Sequence, residues 1–423
     1  MFRVIAFASL IALVGCHRQA DAPSDAPTGL AVLAGDGQVT VSWDQQPGLT
    51  YWIFFQAGST VTAAATGVPL IFDAQSPRVV AGLANGTQYA FVMNATNQDS
   101  RAGPSTPVVR GFPRLAGATW DPGAPLAPQD LNGVAFGAVA VAGVSTNRIV
   151  TVGNAGTIFT GDYNYTNKSP PGVTSWNPPT SVPVGISDLS AVIYTGQFVA
   201  LGTNGSILTS PDGNTWTSAS SVPSAPGTTM HGIAFGIVSN AATYVAVGNG
   251  GSIFRSPDLV TWTVVVPPPT GSDLFSVSFL NGGFVATGAG GALLTSPDGT
   301  TWTVRNSTAS TALRGTAFGT GSAATGASYV VVGDAGTILT SPDGTNWSPS
   351  NPASLSQGLR SITFGSRFVA VGQGEIVAYS DDGTNWQLSS VVDPAGPADL
   401  SAVIFTPAMY VAVGTSGANA VSK

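Results

Sequence analysis

The stretch Phe198-Val199-Ala200-Leu201-Gly202-Thr203-Asn204-Gly205-Ser206-Ile207-Leu208-Thr209-Ser210-Pro211-Asp212-Gly213-Asn214-Thr215-Trp216 decides the fold. An apolar run ends in glycine, a polar turn follows, a second short apolar run ends in serine, and Pro-Asp-Gly leads to tryptophan. Such short runs, rich in β-branched residues and bounded by Gly, Asn, Asp and Pro, read as strands joined by tight turns. The same order recurs from Tyr329-Val330-Val331 through Ser341-Pro342-Asp343-Gly344-Thr345-Asn346-Trp347. Shorter echoes are Ser256-Pro257-Asp258 with Trp262, Ser296-Pro297-Asp298-Gly299 with Trp302, and Ser380-Asp381-Asp382-Gly383 with Trp386.

Working outward, a first strand precedes each unit. These strands start at Leu131, Leu189, Met230, Leu274, Leu313, Leu359 and Leu400. The intervals are 39 to 46 residues, with one longer first interval. A degenerate first unit runs from Leu131 through Val152-Gly153 and Ile158 to Trp176. Four strands in about 40–45 residues is the arithmetic of a β-propeller. The last unit stops after residues 418–421 and lacks its Trp strand, whereas Gly117-Ala118-Thr119-Trp120-Asp121-Pro122-Gly123 is a Trp strand without a unit. Unpaired strand edges are a liability. The expectation is therefore a seven-bladed propeller over 115–423 in which residues 115–123 complete the last blade. Trp120, Trp176, Trp216, Trp262, Trp302, Trp347 and Trp386 then take one equivalent position per blade, packing between blades.

The repeat resembles the Asp-box (BNR) family, whose motif is Ser-x-Asp-x-Gly-x-Thr-Trp. It looks closest to BNR-like propellers of photosystem-assembly-factor type and to bacterial surface propellers, in the wider WD40/YVTN-like class. In that family the Asp box is a folding device. The resemblance therefore implies structural roles for Asp212, Asp258, Asp298, Asp343 and Asp382, each bonding the backbone of its own turn. Sialidases share the Asp box but need an arginine triad, a Tyr–Glu pair and an acid Asp. The sole glutamate here is Glu375, in the tight turn Gly372-Gln373-Gly374-Glu375, and no Phe/Tyr-Arg-Ile-Pro segment occurs. Neither a marked carboxylate pair nor a nucleophile elbow beside His231 is present, so no catalytic residue is assigned.

Residues 27–112 alternate with period two: Leu30, Val32, Val39, Val41 and Trp43, then Tyr51, and Leu83 to Tyr89 followed by Phe91 and Met93. With Pro27, Thr87 and Asn97 these resemble the fibronectin type III family. The resemblance implies a sandwich with Trp43 in the core and Tyr89 as its corner tyrosine. The segment 58–75 fits least well. No RGD tripeptide is present.

At the N-terminus, Met1-Phe2-Arg3 precedes an apolar run over 4–14 that is shorter than the roughly 20 residues a membrane span needs. It fits a secretory signal, and Leu13-Val14-Gly15-Cys16 resembles a bacterial lipobox. That resemblance implies a signal peptide over 1–15, lipidation of Cys16, a tether over 16–26, and an envelope address. With His17 rather than Asp after the cysteine, it implies the outer membrane of a Gram-negative cell.

Composition narrows the function. The 423 residues hold 14 Lys+Arg and 21 Asp+Glu, a net charge of −7, and only 8% are charged against about 25% in an average domain. Such a chain lacks the basic footprint of a nucleic-acid binder. One cysteine and two histidines speak against a disulfide framework and against Cys- or His-rich metal sites, so neither metal nor cofactor is expected.

Chemistry then rests on one end of the repeats. Asp130, Asp188, Asp273 and Asp399 each immediately precede a first strand, and His231, Arg314 and Arg360 sit one residue into one. Two readings stay open: a polar ligand or partner site at a channel mouth, or Asp capping of turns with Asp–Arg pairing between neighbours. The chain reads as an all-β, lipid-anchored envelope protein that binds or scaffolds a protein or glycan without catalysis. The alternatives are a secreted glycan hydrolase and an assembly factor for a membrane complex.

Overall fold

The computed structural model describes residues 21–63, 67–97, 101–141, 144–164, 172–223, 228–320, 327–393, 396–407 and 409–423. Cys16 and residues 1–15, where a signal peptide is expected from the sequence, lie outside them. The chain divides into two compact bodies, Met1–Pro113 and Arg114–Lys423.

The N-terminal body pairs a three-stranded sheet (Ala31–Gly35, Gln38–Ser42, Arg78–Ala81) with a four-stranded one (Leu70–Ala74, Thr50–Ala57, Tyr89–Thr96, Val109–Gly111). Period-two alternation sends Val39 and Val41 from one sheet and Tyr51, Ile53, Phe91 and Met93 from the other into one core, with Trp43 among them. The Tyr89 hydroxyl accepts a hydrogen bond from the Ala84 N–H at 3.1 Å and holds the turn before its own strand. Leu70–Ala74 places a strand inside the segment that fitted the pattern least. Its Leu70 and Phe72 are exposed, so alternation gave no signal there.

The C-terminal body is a series of four-stranded antiparallel sheets, numbered here repeats 1 to 7, the first six built in sequence order. First strands are Leu131–Val141, Leu189–Tyr194, Met230–Val238, Leu274–Leu280, Leu313–Thr320, Leu359–Phe364 and Leu400–Phe405. Each touches the next, and Leu400–Phe405 touches Leu131–Val141, so these strands form a closed cycle. In repeat 7 the fourth strand is Asp121–Pro122, with Asp121 opposite Val421 and Pro122 opposite Ala420. The strand preceding all the repeats thus completes the last one. Trp120 stands just outside it, 7% exposed.

Burial falls from the second strand outward. Phe198–Gly202, Phe368–Gly372 and Tyr410–Gly414 are buried at every residue, whereas the outer strands Thr217–Ser218 and Thr263–Val264 are exposed. A strand covered on both faces reads as a continuous apolar run. The cores lie between sheets: Val150 and Val152 of repeat 1 pack with Leu189, Phe198 and Trp216 of repeat 2, and Val411 and Val413 of repeat 7 pack with Leu131 and Ile149 of repeat 1.

The five Asp turns share one geometry. Asp298 Oδ1 accepts from the N–H groups of Thr300 at 2.8 Å and Thr301 at 2.7 Å, and the Ser296 hydroxyl accepts from Gly299 N–H. Asp212, Asp258, Asp343 and Asp382 make the equivalent bonds. Burial alone would raise the Asp298 carboxyl, but the backbone N–H groups of Thr301 and Thr300 outweigh it and hold the group below its ordinary value. Asp343 is lowered by the N–H groups of Asn346 and Thr345 and by the Asn346 amide.

Tryptophan burial departs from strict equivalence. Trp120, Trp216 and Trp347 are buried, while Trp176, Trp262, Trp302 and Trp386 are half-buried. The sequence of repeat 1 has no aspartate between its third and fourth strands, and its Trp176 lies within a longer outer strand, Gly172–Asn177, opposite Gly161.

Candidate functional site

Every first strand begins with a β-bulge, because one residue is skipped in its pairing with the second strand. In repeat 3, Met230 pairs with Gly248 and Gly232 with Val247, which leaves His231 out. In the same way Phe275, Arg314 and Arg360 are left out of repeats 4, 5 and 6, and Asn132, Ser190 and Ser401 out of repeats 1, 2 and 7. A bulge bends the strand and re-aims the unpaired side chain. The closing glycine of the second strand permits this approach. A Cβ on Gly288 would lie 2.0 Å from the Asp273 carbonyl oxygen, and one on Gly414 1.9 Å from that of Asp399.

The bulged side chains of repeats 3 to 6 join into an arc. The His231 ring meets the Phe275 ring at 5.4 Å, 67° between planes. The Arg314 guanidinium sits 4.6 Å from the Phe275 ring centre, a cation–π contact. Arg314 also donates through Nε and Nη2 to the two carboxylate oxygens of Asp334, each at 2.8 Å. That bidentate pair holds Asp334 below its ordinary pKa, by the hydrogen bond first and despite burial, with further help from the Arg360 charge. Arg360 Nη2 reaches Asp399 Oδ2 at 3.4 Å. His231 Nε2 lies 2.7 Å from Asn249 Oδ1. The arc is therefore held in place by partners from its own side chains and turns. Its arginines keep part of their surface open, with side chains 26% and 32% exposed.

The four aspartates do not gather. Each bonds the backbone of the preceding repeat at a residue with positive φ. Asp188 Oδ1 accepts from Ala155 N–H (2.8 Å), Asp273 from Gly250 (2.8 Å), Asp399 from Gly374 (2.9 Å) and Asp130 from Ser416 (3.0 Å). The backbone carbonyl of each accepts from its own repeat, as Asp273 does from Ala289. Every one of these aspartates thus clasps two neighbouring repeats, and Asp130 clasps the first repeat to the last. Phe275 and Asp334 belong to the arc but were not singled out from sequence. The register of His231 and Arg314 also contains Phe275, so aligning the repeats finds it. The Arg314–Asp334 pair depends on how a bulge aims a side chain.

Glu375 closes the turn Gln373–Glu375 with φ 62°, where the corresponding turns of other repeats end in Gly156, Gly251, Gly291 and Gly417. Its residue is 6% exposed. Burial, and then the Asp393 charge, raise its pKa. Among the described residues no cluster of three or more His, Cys, Asp or Glu side chains has the arrangement of a metal site. No helix among them is long and apolar enough to cross a membrane.

No protein-family model matches the chain, and no curated protein matches it. Solved structures do. YCF48 bound to D1 peptide is 19% identical with a TM-score of 0.52, covering 72% of this chain and 96% of that one. The WD40 β-propeller domain of Doa1 is 10% identical at 0.54, covering 72% and 97%. Virginiamycin B lyase from Staphylococcus aureus, in an inactive form with quinupristin, is 11% identical at 0.53, covering 72% and 98%. These are propeller proteins with different work. At such identities the likeness defines the fold of the C-terminal body, a β-propeller, and nothing of its function.

Proposed function

We propose that the chain is a non-catalytic binding or scaffold lipoprotein of the cell envelope. It is anchored through Cys16, with a fibronectin type III-like module over 27–112 and a seven-bladed propeller over 115–423 closed by its N-terminal strand. The propeller recognises a protein or glycan partner at the end where fourth strands lead into first strands. The arc of His231, Phe275, Arg314 and Arg360 carries this reading, since bulges and ion pairs hold an aromatic face and two partly open guanidinium groups side by side. Rigid aromatic and arginine groups are the residues that anchor interfaces. The neighbour with a bound D1 peptide supports a protein partner over a glycan, and with it the narrower reading of an assembly factor. Catalysis is disfavoured because the carboxylates at this end are committed to backbone clasps and ion pairs.

The test is binding of the lipid-free chain to an array of peptides and envelope glycans, beside an Arg314→Ala/Arg360→Ala variant of unchanged fold. Loss of a wild-type hit by tenfold or more supports the site. Unaltered binding of every hit moves recognition elsewhere. Release of the full-length chain from membranes by Cys16→Ala supports the anchor.

A further inference from the structure

The Asp turns lie at the other end of the repeats, and the repeats themselves show what normally occupies the space beneath each turn. In repeat 1, Arg148 reaches across and donates to the Asp212 carbonyl of repeat 2. In repeat 3, Arg255 Nε donates to the Asp298 carbonyl of repeat 4 at 3.2 Å. In repeat 5, the Ser350 hydroxyl donates to the Thr384 carbonyl of repeat 6 at 2.8 Å. Beneath the turn of repeat 3 a buried Leu259 replaces the glycine.

Between repeats 4 and 5 that filling is missing. Gly283 stands where repeats 1 and 6 carry Arg148 and Arg367, and Thr295 where repeat 3 carries Arg255. A Cβ on Gly213 or Gly299 would press on a valine of the preceding repeat at 2.8 Å. One on Gly344 meets first only its own repeat's Tyr329, at 3.4 Å. Indole N–H groups of Trp216, Trp302 and Trp386 donate to the glycine carbonyls of their turns, whereas Trp347 Nε1 is buried without a partner among the described residues. The turn of repeat 5 thus stands away both from its tryptophan and from repeat 4. The result is a cleft of about 480 Å³ lined by Arg305, Tyr329, Asp343, Gly344 and several threonines. Pockets of roughly 300–1,000 Å³ hold small ligands.

The chemistry of the lining selects the ligand. Asp343 and Gly344 line the cleft and no hydrogen bond from the described residues reaches their carbonyls, so a ligand that donates finds acceptors there. Arg305, whose Nε is spent on Thr295 Oγ1 at 2.8 Å, keeps its terminal nitrogens as donors, so the ligand must also accept. Asp343 and Arg305 give the lining one charge of each sign, so a cation gains no net attraction, and a guanidinium or ammonium group, which only donates, leaves the Arg305 donors unmatched. A carboxylate or phosphate only accepts and meets the carbonyls. Hydroxyl groups do both, and Tyr329 lines the same cleft. We propose that this cleft is a glycan site for neutral hydroxylated ligands of one or two sugar rings. It is separate from the arc at the other end, and its failure would leave that reading untouched.

The experiment titrates the lipid-free chain with glucose, galactose, mannose, N-acetylglucosamine, cellobiose, lactose and chitobiose, followed by saturation-transfer NMR and calorimetry. At least one sugar is expected to bind, with affinity falling more than tenfold in Gly283→Arg, which supplies the missing filling from the chain itself. Arg305→Ala is expected to weaken the same sugar severalfold, and Arg314→Ala to leave it unchanged. The Arg305→Ala arm decides the matter should Gly283→Arg not fold. Absence of binding by all the sugars at millimolar concentration, binding indifferent to both cleft variants, or binding of free arginine in place of sugar would each overturn the proposal.

Discussion

A few residues hold strained or charged positions whose replacement gives a signed outcome. Glu375 has a left-handed backbone and a buried carboxylate where other repeats have glycine. Glu375→Gly is expected to stabilise the protein by about 1 kcal/mol from the backbone, with a further gain at neutral pH. The native pKa of this acid is raised, so its ionised form costs stability above that pKa, and the cost disappears once pH falls below the unfolded value of about 4.3. Thermal melts at pH 7 and pH 4 should show the larger gain at pH 7. The Asp turns behave oppositely. Their native pKa values are lowered, so their contribution is full above about pH 3.9 and is lost as pH falls through the native values. Asp298→Ala is expected to cost about 1–2 kcal/mol at pH 7, as loss of a helix cap does, and less in acid, read from urea midpoints.

Elements show why part of the molecule was legible in sequence and part was not. The second strands announce themselves as Val-Ala-Leu or Val-Ala-Val followed by glycine because both faces are covered, and the Asp turns because one side-chain oxygen replaces a set of backbone contacts. The four aspartates and the His/Arg positions were visible as a register, but their roles were not. Whether an Asp before a first strand faces a ligand or a neighbouring turn depends on the bulge and the positive-φ turn it meets, and these are tertiary. Likewise Trp176 and Trp216 are expected at equivalent positions, yet of the two only Trp216 follows a Ser-Pro-Asp-Gly stretch, donating to the carbonyl of its glycine. Trp216, 2% exposed, is expected to cost about 3–5 kcal/mol on change to alanine, and half-buried Trp302 distinctly less. Denaturant midpoints of the two variants check that order.

At the scale of the whole molecule, closure organises everything else. The chain enters repeat 7 at Asp121–Pro122, Asp130 then clasps Ser416, and the inner strands complete their cycle. Gly117 N–H donates to the Ser422 hydroxyl at 2.8 Å, and Trp120 packs with Tyr410 and Leu400. A chain beginning at Arg114 is expected to keep the unfolding midpoint of the C-terminal body. One beginning at Ala124 is expected to lose about 3 kcal/mol or more with Trp120 and its strand. Both proposed sites need the ring, because each is assembled from more than one repeat.

The most direct measurement is a cysteine pair across the seam, Asp121→Cys with Val421→Cys, in a chain lacking Cys16. These residues lie directly opposite in the register, where Cβ atoms are about 4.5–5.5 Å apart and small adjustments reach disulfide geometry. The account predicts an intramolecular disulfide that forms in the folded monomer under mild oxidation and raises the midpoint. Two free thiols in the folded protein, or only intermolecular cross-links, would contradict the closed ring.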